Sequence, residues 1–252
     1  MIKKQFSLCH PSVMQLAEGY DDLQDFVASL PARFKQKEGT LIHDGRNKLR
    51  EILYKDHSYV VKAYRKPNPL NRLVYGLLRP SKAKRSYDNA LLLKQIYVGT
   101  PDPVAYLNVR NGLLFTHSFL VTRKSACRYR YDQLFTSHKE MQEAVVREVG
   151  RVTAMLHENR LSHLDYGRGN ILFDFDGKGN VILELVDLNR MRHGKVDIKA
   201  GCKNLERLPA TAQMHRWMAH EYAISRDFDE EECYRLMRAY RKVQPGQVEG
   251  EF

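Results

Sequence analysis

The residues best suited to chemistry lie in the run Ser162-His163-Leu164-Asp165-Tyr166-Gly167-Arg168-Gly169-Asn170-Ile171-Leu172. Asp165 and Asn170 stand five positions apart, after a helical apolar stripe and before a strand-like Ile171-Leu172-Phe173. That pair suits phosphoryl transfer, in which a carboxylate accepts the proton of an attacking hydroxyl and an amide oxygen reaches a Mg2+ ion on nucleotide phosphates. Seventeen residues past Asn170, Val186-Asp187-Leu188-Asn189 ends a second strand on a carboxylate. Mg2+ takes few protein carboxylates and completes its shell with phosphate oxygens and water, so one Asp and one Asn match it. Taken singly, an H-x-D on a loop is usually a hydrogen-bonded turn, and a strand-end Asp is more often a turn former than a ligand. The specific signal is the order: helix, H-x-D-x-x-x-x-N-I-L, hairpin, apolar strand, Asp.

Phosphoryl transfer also needs a cation over the nucleotide phosphates, and Lys62 in Val60-Val61-Lys62-Ala63-Tyr64 is the candidate. A lysine in mid-strand is either an edge-strand gatekeeper or a phosphate ligand. Upstream, His43-Asp44-Gly45-Arg46-Asn47 has a single glycine and no G-x-G-x-x-G fingerprint. The amide of Gly45 and the charge of Arg46 can still cap phosphates, although a plain turn is the simpler reading of each.

These residues need elements to hold them. Residues 1–38 show helix-like spacing (Leu16, Tyr20, Leu23, Phe26, Leu30) that Pro31 is expected to end. Leu41-Ile42, Leu49 to Tyr54 and Tyr59 to Tyr64 read as three short strands joined by turns, an antiparallel meander. Helical spacing runs from Lys84 to Val98 until Thr100-Pro101-Asp102-Pro103 breaks it. Two more strands follow, Val104 to Leu107 and Leu113 to Thr122. Lys139 to Asn159 is a long amphipathic helix with Val145, Val149, Val152 and Leu156 on one stripe. Ile171-Leu172-Phe173 and Val181 to Val186 flank the turn at Asp176-Gly177-Lys178-Gly179-Asn180 as a hairpin. The last third, from about Ala210 to Lys242, reads as helical. The expected fold is α+β and two-lobed, like a protein kinase. Its antiparallel-sheet N-lobe spans 1–122 (helical extension 1–38), and its mainly helical C-lobe spans 123–252.

The 252 residues carry 41 Lys+Arg against 30 Asp+Glu, a net charge of +11 that calls for anionic partners. Cys9, Cys127, Cys202 and Cys233 are scattered without a C-x-x-C pair, which fits neither a disulfide framework nor a zinc site and points to a reducing compartment. No apolar run reaches membrane-spanning length, and the first residues lack the apolar core of a signal peptide. The expectation is a soluble, basic, intracellular chain. From Lys62 through Arg85 stand eight basic residues and no acidic one. Within that stretch Leu70, Leu73, Val74, Leu77 and Leu78 form one helical face between Pro69 and Pro80. It reads either as a helix packed on the N-lobe or as an interfacial helix whose arginines bind lipid phosphates of an anionic membrane surface.

At this point the chain resembles a known family. The runs HLDYGRGNIL, ELVDLNR and CKNLERL, with YVVKAYRK, SKAKRSYDNALLL, TPDPVAYL and GLLF upstream, are similar to the lipopolysaccharide core kinases. These Kdo and heptose kinases of Gram-negative bacteria are a branch of the protein-kinase-like fold, and the runs look closest to Bacteroidetes-type members. The likeness covers about Thr40 to Leu208 and leaves out the N-terminal 38 residues and the tail. It implies ATP and Mg2+ as cosubstrates, Asp165 as catalytic base, Asn170 and Asp187 as metal ligands, and Lys62 on the phosphates. Two positions depart from the kinase pattern. The helix offers Asp88-Asn89 where kinases pair the strand lysine with a Glu, so Asn89 becomes the candidate partner of Lys62. Asp187-Leu188-Asn189 replaces Asp-Phe-Gly.

The implied function is ATP-dependent phosphorylation of a sugar hydroxyl in the lipopolysaccharide inner core, on Kdo or heptose. It implies a monomer, cytoplasmic and peripheral at the inner face of the inner membrane, that meets a lipid A-core acceptor. The alternatives are a pseudokinase scaffold that binds nucleotide or lipid, favoured by the missing Glu, and a small-molecule kinase of the aminoglycoside or choline type. The latter's cationic acceptors want an acidic cleft, which the +11 balance opposes. Nucleic acid is not an expected partner, because no finger, helix-turn-helix or RRM signature is present.

Overall fold

The structure is a computed structural model that describes residues 12–64, 80–111 and 114–242. By its contacts the chain divides into two units, residues 1–88 with 102–124, and residues 89–101 with 125–252.

The first unit is built on a six-stranded antiparallel sheet. Its strands are β1 (Val13–Leu16), β2 (Thr40–Asp44), β3 (Lys48–Tyr54), β4 (His57–Tyr64), β5 (Pro103–Asn111) and β6 (Leu114–Arg123), in the order β1-β5-β6-β4-β3-β2. The expected meander is present as β2-β3-β4. Alternation puts Tyr59 and Val61 of β4 in the buried core, where they meet Ile52, Ala105, Leu107, Phe119 and Val121. Helix α1 (Gln24–Lys35) closes that core with Phe26, Val27 and Leu30, all fully buried.

Two expectations for this region fail. Leu16 lies in β1, paired with Ala105, and not on a helix. Pro31 sits inside α1 and does not end it. A helix-interior proline costs about 3 kcal/mol, yet each large apolar side chain buried contributes roughly 1.5–3 kcal/mol. The helix therefore continues to Phe34, whose ring meets Phe119 edge-on at 5.2 Å between centroids. Arg50 locks the connection from α1 to β2 by donating from Nη1 to the carbonyls of Lys37, Glu38 and Gly39, at 2.6, 3.1 and 2.7 Å.

Helix α2 (Lys82–Gln95) contributes residues to both units. Within the first, Tyr64 and Ser86 share a buried hydroxyl–hydroxyl hydrogen bond of 2.8 Å, and Tyr87 packs on Tyr106.

The second unit holds helix α3 (Lys139–Glu158) against α5 (Ala212–Arg226), with α6 (Glu230–Tyr240) packed on α5. Its strands are short. β7 (Tyr129–Arg130), β9 (Ile171–Phe175) and β10 (Val181–Leu185) form one sheet in the order β10-β9-β7, and β8 (Leu161–His163) pairs with β11 (Met191–His193). A seven-residue helix, α4 (Ile198–Asn204), lies between β11 and α5. The expected C-terminal helical stretch is two helices, because Asp227 takes the left-handed conformation and Asp229 caps α6 by accepting from the amide of Glu232 at 2.7 Å. Val145, Val149, Val152 and Leu156 of α3 are buried in this unit's core, as their spacing predicts, together with the free thiols Cys202 and Cys233.

Candidate active site

The segment bearing Asp165 leaves β8 and is fixed by a buried imidazole. Asp165 donates its backbone N–H to Nδ1 of His163 at 3.1 Å, so Nδ1 carries no proton. Nε2 therefore holds the proton and donates it to the carbonyl of Val186 at 3.0 Å. Burial pushes the His163 pKa down and keeps the ring in this neutral tautomer. The backbone of Val186 is held on both sides, because Val186 also donates its N–H to the carbonyl of Asn170 at 3.0 Å. One ring and one backbone residue thus tie together the segments that carry Asp165, Asn170 and Asp187.

Asp187 stands at the end of this peptide in the left-handed conformation, φ 60° and ψ 47°. A non-glycine residue there is uncommon, and Asp and Asn tolerate it best. Its Oδ1 accepts from Nδ2 of Asn189 at 2.5 Å. Asn170 spends Nδ2 on the carbonyl of Asp165 at 2.7 Å, which presents Oδ1 as its acceptor atom. An amide oxygen and a carboxylate are hard donors of the kind Mg2+ takes beside phosphate oxygens and water. Among the described residues no group of three or more His, Cys, Asp or Glu could hold a metal ion by itself. The donor set fits an ion that arrives with phosphates.

Two guanidinium groups flank Asp165. Arg207 donates from Nη1 to Oδ1 at 2.5 Å, and Arg190 stands 3.9 Å from Oδ2. Arg190 ends the single 3-10 turn after Asp187, and its carbonyl accepts the N–H of Leu164 at 3.0 Å.

Behind the loop runs a directed chain of buried and half-buried hydrogen bonds. Asn204, the last residue of α4, donates from Nδ2 to the carbonyl of His163 at 2.9 Å. Its Oδ1 then accepts from Nε2 of His157 at 3.0 Å, and Nδ1 of His157 accepts from the Tyr222 hydroxyl at 2.9 Å. Arg226 donates to that hydroxyl at 3.2 Å and forms an ion pair with Glu158. Burial drives the pKa of His157 down to about 4, with Arg226 adding to the effect. Sequence reasoning assigned no role to His157, Asn204, Arg190 or Arg207. The last three lie inside the runs ELVDLNR and CKNLERL, and those runs were the available signal.

In the first unit, Lys62 lies on β4 with Leu49 and Leu120 as cross-strand partners and its Nζ 5.3 Å from the Tyr64 ring centroid. Since β4 is flanked by β3 and β6, the edge-strand reading of this lysine does not hold. Gly45 and Arg46 form the β2–β3 turn. A Cβ on Gly45 would stand 2.4 Å from Nε2 of the exposed His43 ring, which would have to swing aside. Together with Lys35, Phe34, Tyr64 and Phe119, Gly45 and Arg46 line a groove of about 690 Å3. Asp88 is held by Lys84, whose Nζ donates to both carboxylate oxygens at 3.0 and 2.8 Å. Asn89 belongs to the second unit, where it is buried and donates from Nδ2 to the carbonyl of Leu188 at 2.7 Å, beside Asp187. Of the basic stretch 62–85, residues 65–79 lie outside the described residues, and with them the expected amphipathic helix.

Comparison with known proteins completes the picture. The family model described as "Lipopolysaccharide kinase (Kdo/WaaP) family" matches residues 32–240, so the likeness reaches beyond Thr40 to Leu208 at both ends. Two proteins named 3-deoxy-D-manno-octulosonic acid kinase, from Stenotrophomonas maltophilia strains K279a and R551-3, are each 29% identical, over 170 and 151 residues. The matched stretches cover 65% and 59% of this chain and 62% and 55% of those relatives, less than two thirds of their length. The solved structure titled "WaaP in complex with acyl carrier protein" shares the fold at a TM-score of 0.63 with 18% identity, covering 90% of this chain and 97% of that one.

Proposed function

Because the chain belongs to the lipopolysaccharide kinase (Kdo/WaaP) family, we propose that it is an ATP- and Mg2+-dependent kinase that phosphorylates a sugar hydroxyl of the lipopolysaccharide inner core. The observation that carries this reading is the shared anchoring of Asp165, Asn170 and Asp187 by His163 and the Val186 backbone. Bound ATP with Mg2+ supplies the phosphoryl group and the neutralising charge. The chain does the rest. Asp165 accepts the proton of the acceptor hydroxyl, and His163 holds that carboxylate's backbone from below. Asn170 and Asp187 are the oxygen donors toward the ion, and Lys62 gives positive charge to the phosphates. Asn89 supports the turn that carries Asp187, while Gly45 and Arg46 are kept as phosphate-capping candidates. The acceptor is of the octulosonic-acid class on which the two Stenotrophomonas relatives are named.

The test is incubation of the purified chain with ATP, Mg2+ and deep-rough lipopolysaccharide, read by mass spectrometry of the released core sugars. A phosphorylated octulosonic acid is expected, and a phosphorylated heptose would move the acceptor to the other core sugar while keeping the kinase reading. ATP binding with no phosphorylated sugar, under conditions that sustain a known kinase of this family, overturns the assignment in favour of a nucleotide-binding scaffold.

The acceptor's membrane location makes peripheral association at the cytoplasmic face part of the same reading. Arg72 and Arg79 of the basic stretch are the residues to test. Each engaged basic residue near an anionic surface contributes about 1 kcal/mol. An Arg72→Glu/Arg79→Glu protein should float less with anionic liposomes than wild type and no differently with neutral ones. Equal flotation of both on anionic vesicles removes the membrane role.

A further inference from the structure

The geometry points to Arg207, assisted by Arg190, as the site that binds a carboxylate on the acceptor sugar beside the hydroxyl that is phosphorylated. This rests on the kinase reading and adds the chemistry by which the acceptor is chosen. Three observations support it. First, Asp165 is the partner of Arg207 among the described residues, through Nη1 alone, and a guanidinium offers five donors in a planar fork. Both side chains reach solvent, with 48% of the Arg207 side chain and 59% of the Arg190 side chain exposed. Secondly, two cations meet one carboxylate, which leaves one unit of positive charge beside the proposed base. A fork matches a planar carboxylate bidentately, and Arg suits that task better than Lys.

Thirdly, the surrounding sequence has the same sign. Between residues 190 and 207 there are six basic residues (Arg190, Arg192, Lys195, Lys199, Lys203, Arg207), all exposed, against Asp197 and Glu206. Both acidic groups are engaged within the fold, Asp197 on the amide of Ala200 and Glu206 on Lys242. The region is therefore built to draw in an anion, and Arg207 marks its point nearest the reacting carboxylate. The position is also rigid, because Asn204 bolts the end of α4 to the carbonyl of His163, three residues before Arg207.

Binding is measured by calorimetry on the full chain, without nucleotide, with free 3-deoxy-D-manno-octulosonic acid and with its methyl ester. Turnover of lipopolysaccharide is followed separately. Wild type should bind the acid more tightly than the ester. Arg207→Met should weaken acid binding by about ten-fold or more, through loss of the charge-assisted fork, and change ester binding by less than about two-fold. Arg207→Lys should recover part of the acid affinity, which excludes misfolding as the cause, and Arg190→Met should show a smaller loss. Equal weakening of acid and ester, or acid binding unchanged in Arg207→Met, overturns the assignment. If wild type shows Arg207-dependent acid binding but phosphorylates no core sugar, the kinase reading fails and the carboxylate site stands.

Discussion

His163 and Val186 lie 23 residues apart and are joined by a hydrogen bond of 3.0 Å from a ring that also receives the amide of Asp165. The imidazole is the joint between the proposed base and the proposed metal-binding aspartate. His163→Phe keeps the ring stack on Tyr166 but takes the ring partner from a carbonyl and an amide on two half-buried residues. An unsatisfied buried polar group costs about 1–3 kcal/mol. The expected outcome is a lower unfolding midpoint in denaturant together with weaker Mg2+-dependent nucleotide binding. Loss of only one of the two would mean that the ring supports one side of the site.

Asp165→Asn retains shape and removes the proton acceptor. General-base removal typically costs ~10²–10⁴ in rate. Steady-state turnover should fall by that order while nucleotide affinity, followed by calorimetry, stays near wild type. Undiminished phosphotransfer would reassign Asp165 to a structural turn.

Asp187→Asn deletes the carboxylate's charge and keeps a residue type that accepts the left-handed backbone. Stability should change little, whereas the gain in ATP affinity on adding Mg2+ should shrink. A mutant with the wild-type metal dependence would leave Asp187 as the corner of the strand end alone.

The buried histidines predict an acid-labile second unit. Burial lowers the pKa of His157 and of His215 from 6.5 to about 4 each, with Arg226 reinforcing the first and Arg238 and Arg241 the second. Between those values the unfolded chain binds more protons than the folded one, so stability falls as pH drops through that window and is fully present above it. The limit is about 3 kcal/mol per histidine. Thermal midpoints should hold nearly level from pH 7.5 to about 6.5 and fall as the pH drops from there to 5. A His157→Gln/His215→Gln protein should start lower and lose less. An identical slope in both proteins would place the acid sensitivity elsewhere.

Gly201 occupies the one place in α4 where a side chain has no room. A Cβ there would lie 1.9 Å from the Tyr222 hydroxyl and 3.2 Å from Nδ1 of His157. Gly201→Ala should therefore displace α4 and break the chain from Tyr222 to Asn204. The change improves helix propensity by about 1 kcal/mol, so a net fall in unfolding midpoint would show that the collision outweighs it. A stabilised variant would contradict the packing described.

How much of this was legible in the sequence depended on how local each cause was. The strands β2 to β6 and the helices α2 and α3 follow from alternation and helical spacing, and they appear within a few residues of their expected bounds. The order of Asp165, Asn170 and Asp187 was readable because one loop and one hairpin contain it. β1 was misread because four residues at a sheet edge carry no period of their own, and only pairing with β5 makes them a strand. β8 and β11 are three residues each and exist by pairing His163 with Met191. The guanidinium of Arg207 meets Asp165 across 42 positions, and His157 meets Tyr222 across 65. No spacing rule reaches that far.

The N-terminal segment sets where this protein can be cut. The family-model match begins at residue 32, in the last third of α1. A chain trimmed to that boundary would lose Leu23, Phe26, Val27 and Leu30, four side chains at most 2% exposed. At roughly 1.5–3 kcal/mol each they account for on the order of 10 kcal/mol, as much as an entire domain's net stability. The same cut would strip β1 from β5 and leave a row of unpaired backbone donors and acceptors open to other chains. The family match thus marks a shorter unit than cooperativity does: the match begins at residue 32, but the smallest piece of this protein expected to stay monodisperse starts at or before Val13.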